Sequence, residues 1–106
     1  MREYGEARQN YQQALAINIE FGDRYSQAST YFQLGKVAEE LGEMEEAKAN
    51  YLLDLQITSE FNDEHGLGIS LRNLERFYQA TQDQSLLETM AKVLGITVEE
   101  ILSRQK

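Results

Sequence analysis

Along most of this chain the apolar residues fall three, four and seven positions apart, separated by charged and amide side chains. That rhythm is the face of an α-helix, whose side chains return to the same side at those spacings. Sliding the chain against itself by 40 positions brings identical residues into register, among them Glu6 on Glu46, Ala7 on Ala47, Tyr11 on Tyr51, Leu15 on Leu55, Ile17 on Ile57 and Phe21 on Phe61. A unit of that length is too small to bury its own apolar face, so it reads as a helical hairpin stacked on its neighbours.

The polar punctuation agrees with this reading. Gly22-Asp23 and Asn62-Asp63 stand at equivalent places in the repeat. Glycine and asparagine tolerate the left-handed conformation that ends a helix, and an aspartate accepts bonds from the free N–H groups that begin the next. Gly42 breaks the pattern between them. The spacing predicts helices over roughly 3–21, 24–41, 43–61, 64–81 and 84–94. A last short helix is expected from Thr97, where Thr97-Val98-Glu99-Glu100 has the spacing of a capping box.

On the second and third of these helices, Tyr31-x2-Leu34-Gly35-x2-Ala38 is followed by Ala47-x3-Tyr51. This run resembles the tetratricopeptide repeat pattern, which sets a large residue, Leu and Gly on one helix and Ala–x3–aromatic on the next. The resemblance covers about residues 3–82. Gly35 and Ala47 are expected to be small where the two helices cross closely, with Tyr31, Leu34 and Tyr51 around them. The 40-residue period resembles the long-helix subclass found in scaffold and bacterial signalling proteins. The resemblance implies an all-α fold of antiparallel helical hairpins, stacked as a short right-handed solenoid with a C-terminal helical cap. It would divide the single domain into the second helix of a truncated repeat (3–22), a full repeat (23–62), a degenerate last repeat (63–95) and a capping helix (96–106).

There are departures from the pattern. Ala38 stands where a tyrosine is usual, and Ser59 where a proline often ends the unit. The second-helix alanine is kept as Ala14 in the first unit but is Asp54 in the second. In the last unit Gly35 gives way to Glu75 and Ala47 to Leu87, so a close crossing is not expected there. Because the first hairpin opens with its second helix, the sequence reads as a fragment or the tail of a larger protein. The flank of that first helix which a preceding helix would cover is expected to seek a second copy, giving a homodimer.

Composition narrows the picture further. Alanine, leucine, glutamate and glutamine, all good helix formers, dominate, and proline is absent. A length of 106 residues suits one domain, and the net charge of −8 disfavours nucleic acid and anionic membrane as partners. Without cysteine there is neither a disulfide nor a thiolate metal site. No signal-like or membrane-length apolar run is present, which makes a cytoplasmic address the expectation.

Candidate chemistry is sparse. His65 is the sole histidine and reads as a surface residue. The acidic cluster Glu39, Glu40, Glu43, Glu45 and Glu46 lacks the Asp/Asn alternation and central glycine of a calcium loop, and reads as a solvated helix junction. Tyr4, Tyr11, Tyr25, Tyr31, Tyr51 and Phe77 read mostly as core. The stretch from Met90 to Ile101 resembles a helix-turn-helix, with Gly95 in the turn, yet it offers Glu99 and Glu100 where phosphates demand cations. A C-terminal cap is the better reading. No nucleophile, base and orienter stand together, so no enzyme activity, catalytic residue, metal or cofactor is assigned.

What remains is a surface for a protein or peptide partner. At 100° per residue, Tyr31, Leu34, Gly35 and Ala38 share one side of their helix, and Ser29, Phe32, Gln33, Lys36 and Glu40 the other. One repeat later Leu71, Leu74 and Tyr78 point inward, and Ile69, Arg72, Asn73, Arg76 and Gln79 outward. By the resemblance, first helices of successive hairpins line a concave groove, so its floor would be Ser29, Phe32, Gln33, Lys36, Ile69, Arg72, Asn73, Arg76 and Gln79. Lys36, Arg72 and Arg76 gather there in an otherwise acidic chain, which favours a peptide with acidic residues. The alternative is a structural or oligomerising segment of a larger multi-domain signalling protein.

Overall fold

A computed structural model describes residues 3–103 of the chain. They form six helices, α1 (Tyr4–Glu20), α2 (Arg24–Glu40), α3 (Met44–Glu60), α4 (Glu64–Thr81), α5 (Gln84–Leu94) and α6 (Val98–Ser103), and no strand. The predicted ends hold to within a residue because local chemistry sets them. Gly22, Gly42, Asn62 and Gly95 all take positive φ at helix ends. Asp23 and Asp63 accept from the backbone N–H of Ser26 and Gly66, both at 3.1 Å, and so cap α2 and α4. The capping box also forms: Glu100 N–H donates to Thr97 Oγ1 at 3.1 Å, and Thr97 N–H donates to Glu100 Oε1 at 2.9 Å.

The helices stack in chain order as antiparallel hairpins, the arrangement of a helical-repeat solenoid. The α2–α3 pair is the most extensive. Gly35 explains its closeness: a Cβ built there would stand only 2.5 Å from Cε1 of the Tyr51 ring. The crossing expected between Gly35 and Ala47 is therefore filled, at Gly35, by Tyr51. That ring packs edge-on to Phe77 at 5.3 Å and lies 6.1 Å from Phe32, linking the centre of the core to its surface. Ala38, Ala47, Tyr51, Leu55, Leu71, Leu74 and Phe77 form one core with Leu86, Leu87, Met90, Ala91 and Ile101. Helices α5 and α6 thus complete the core at its C-terminal end. With Glu75 and Leu87 in place of the small pair, α5 lies more on α3 than on α4.

Not every aromatic expected in the core is there. Only Tyr51 and Phe77 are fully buried, and Tyr25 is half exposed, its ring edge on Phe61 and its hydroxyl donating to Asp63 Oδ2. The acidic junction is solvent-exposed as expected at Glu40, Glu43, Glu45 and Glu46, with Glu39 half-buried. Glu43 and Glu46 both pair with Arg8, Glu40 accepts from Tyr4, and Glu39 is drawn inward to Arg76. With Arg24–Glu60 and Lys48–Asp83 these contacts each span close to one repeat, so polar side chains stitch neighbouring units together. Exposed pairs of this kind stabilise little individually and mainly hold register. No described helix is long and apolar enough to cross a membrane.

Candidate functional site

Helices α2 and α4 each pack chiefly on α3 rather than on one another, which leaves a groove between them with α3 as its floor. Two cavities lie along this groove. One, of about 310 Å³, is walled by Ala28 and Phe32 of α2 and Ile69 of α4, over Asp54 and Thr58 of α3. The other, of about 280 Å³, lies between Lys36 and Glu39 of α2 and Asn73 and Arg76 of α4, over Tyr51. Phe32 belongs to both and is the partition between them.

Six of the nine residues assigned to the groove from the sequence line these cavities: Ser29, Phe32 and Ile69 at the first, Phe32, Lys36, Asn73 and Arg76 at the second. Gln33 is half-buried, Arg72 and Gln79 are exposed, and these three line neither cavity. Their outward placement follows from the helix arithmetic, since Leu34, Gly35, Ala38, Leu71 and Leu74 are the residues turned into the core.

The three cations stand in different electrostatic settings. Lys36 holds its ammonium 5.5 Å from the centre of the Phe32 ring, a cation–π contact. Arg76 forms a fork on Glu39, with Nη1 and Nη2 each 2.8 Å from a carboxylate oxygen, and Nη2 also donates to Asn73 Oδ1 at 3.0 Å. Tyr51 Oη donates to the same Glu39 carboxylate at 2.7 Å. The Arg76 guanidinium holds the Glu39 carboxyl below its usual range, and burial pushes the Tyr51 phenol up. This second cavity therefore contains a bidentate ion pair that joins α2 to α4 across the groove. Arg72 projects without such a bond to α2.

The first cavity contains what the sequence reading did not assign to the site. Asp54 is only 6% exposed, and burial raises its carboxyl to about 6. The Ser70 hydroxyl lies close enough to offset part of that rise, yet makes no hydrogen bond of normal geometry. The signal was present in the repeat itself, where an apolar second-helix position, Ala14, becomes a carboxylate one unit later. His65 stands exposed at the rim of this cavity. Among the described residues no three acidic or histidine side chains are gathered in a way that could hold a metal.

A family model described as tetratricopeptide repeat matches residues 1–53, half of the chain. No curated protein and no solved structure matches the sequence.

Proposed function

The chain belongs to the tetratricopeptide repeat family, a fold that serves as a protein–protein interaction module, and from that premise we propose that its groove holds a peptide segment of a partner protein. The observation that carries this reading is the separation of α2 and α4 over α3, which opens two cavities joined at Phe32. A segment lying along the groove would meet apolar contact at Phe32 and Ile69 and an amide at Asn73. Acidic residues in that segment would face Lys36 in the second cavity and, above the cavities, the exposed Arg72 of α4, while Arg76 is engaged by Glu39 and serves to hold the groove's two walls together.

The test uses acidic and neutral peptide pools against the wild type and a Lys36→Glu/Arg72→Glu variant, leaving Arg76 in place. Retention of the acidic pool by the wild type and its loss by the variant, about tenfold or more, supports the reading. Equal binding by both proteins, or equal retention of both pools, overturns it.

A second reading concerns assembly and rests on a separate surface. None of the residues of α1 is buried, and Ile17 and, just past the helix end on the same side, Phe21 stand 54% and 77% exposed. Apolar area left in water costs about 25 cal/mol per Å², so a two-fold contact between α1 helices is the simplest closed arrangement that would cover it. Such a contact would make the chain an oligomerising segment as well as a binding one. Light scattering should show dimers that grow with concentration, and a monomer at high micromolar concentration would count against the contact.

A further inference from the structure

The cavity over Asp54 has a composition that neither an acidic nor a purely apolar ligand would satisfy. Its walls are the hydrocarbon of Ala28, Phe32 and Ile69, and its floor holds a carboxylate that is 6% exposed. None of the ion pairs among the described residues reaches Asp54. The other carboxylate at this cavity, Asp63, is already engaged, accepting from Tyr25 Oη at 2.5 Å and from the Gly66 N–H at 3.1 Å. A second buried polar group stands beside Asp54: Ser70, 1% exposed, whose hydroxyl offsets part of the carboxylate's burial without reaching a hydrogen bond of normal geometry.

A buried polar atom is normally paired, and a buried carboxylate all the more so. Here the carboxylate has been desolvated by folding, none of the ion pairs among the described residues neutralises it, and the cavity above it, with His65 at its rim, is open to the groove. An aliphatic stem ending in a cation fits both features. The stem would lie against Phe32 and Ile69, as long basic side chains do on apolar surface, and the charged tip would reach Asp54. Since Asp54 is desolvated before the ligand arrives, the ligand need supply only the desolvation of its own tip.

We propose that this cavity is a socket for one arginine or lysine side chain of the segment held in the groove. The proposal rests on the groove being the peptide site, and it makes the preferred segment bipolar: a basic residue over Asp54 and acidic residues toward Lys36 and Arg72. The apolar partition at Phe32 separates the two demands, which keeps the ligand's own charges from satisfying each other in place of the protein's.

The test uses side-chain mimics rather than a partner. The full chain, labelled with nitrogen-15, is titrated with n-butylguanidinium and n-pentylammonium, and with n-pentanol and n-butyrate as neutral and anionic controls. The expected result is movement of the Ala28, Phe32 and Ile69 amides by the cations, with affinity about tenfold above pentanol and none for butyrate. Asp54→Asn keeps the shape of the side chain and removes its charge, so it should abolish the cation preference while leaving pentanol binding unchanged. Cation affinity equal to that of pentanol, or equal in the wild type and Asp54→Asn, overturns the socket. The two readings fail separately. Cation binding that depends on Asp54, with no peptide pool retained, removes the groove reading and keeps the socket. Acidic peptides retained without any response to the cations remove the socket and keep the groove.

Discussion

Tyr11 of α1 and Tyr51 of α3 are the same residue at the same place in the repeat, 40 positions apart, yet Tyr51 is fully buried and Tyr11 only half. The contrast runs along both helices. Ala47, Leu55 and Ile57 are completely enclosed, whereas Ala7 and Leu15 are half-buried and Ile17 stands 54% exposed. Helix α3 is packed by α2, α4 and α5, but α1 has an extensive contact only with α2. An apolar stripe therefore states which face of a helix is to be covered. How much stability it contributes depends on how many neighbours arrive to cover it, because the hydrophobic term scales with area removed from water.

The largest expected effect comes from breaking this pair symmetrically. Tyr51→Ala empties the space between Gly35, Phe32 and Phe77 and leaves Glu39 without its phenol donor, which should cost about 3–5 kcal/mol. Tyr11→Ala should cost less than about half as much, since its site is half open and can fill with water. Urea denaturation of the two variants measures the gap. Equal losses would mean that α1 is covered as well as α3 in solution, the result expected if α1 helices pair.

A smaller effect, of opposite sign, comes from making Asp54 neutral. With Asp54 raised to about 6 in the folded protein and near 3.8 when unfolded, the folded state holds its proton longer than the unfolded chain does. The folded state thus suffers no penalty from this group below about pH 4, a growing one as pH rises to 6, and the full one above it. Asp54→Asn should therefore raise stability by about 2–3 kcal/mol at pH 7.5 and by almost nothing at pH 4. A gain that is flat across that range would show that the carboxylate is not desolvated. Because α1 carries Ala14 at this position, Asp54→Ala serves as the repeat-swapped control.

Gly35→Ala tests what lets α2 and α3 approach so closely at Gly35. The added methyl would drive into the Tyr51 ring, and either the ring or the helix must shift, at about 1–3 kcal/mol. In a Tyr51→Ala background the same substitution should cost much less, and a double-mutant cycle reads the coupling directly. Additive losses would mean that Gly35 is needed for some reason other than Tyr51.

The smallest difference lies between the two helix ends. Gly22 and Asn62 hold the same left-handed position, with φ of 69° and 52°. Gly22→Ala should cost about 1 kcal/mol and Asn62→Gly should shift the melting temperature by no more than a degree or two, since asparagine already tolerates that conformation.

The number, order and ends of the helices, the face each turns inward and the repeat that stacks them could all be read from the order of residues. These follow from short-range physics: side-chain spacing on a helix, the φ that Gly22 and Asn62 permit, and the oxygens of Asp23, Asp63 and Thr97 set near free N–H groups. The order of residues also placed Phe32, Lys36, Ile69, Asn73 and Arg76 on the outward faces that border the groove. What those residues meet there depends on how the helices come together. Arg76 is joined to Glu39, 37 positions away, by the approach of α4 to α2, a pairing that no local spacing indicates. Tyr51 was expected beside the crossing, but that its ring stands directly over Gly35, so close that a Cβ there would clash, follows from how α3 approaches α2. Asp54 looked like a departure from an apolar position; its burial, its want of a counter-charge and the open cavity above it exist only once three helices converge. Local chemistry is written residue by residue, whereas desolvation and charge pairing are properties of the enclosed space and of every element that bounds it.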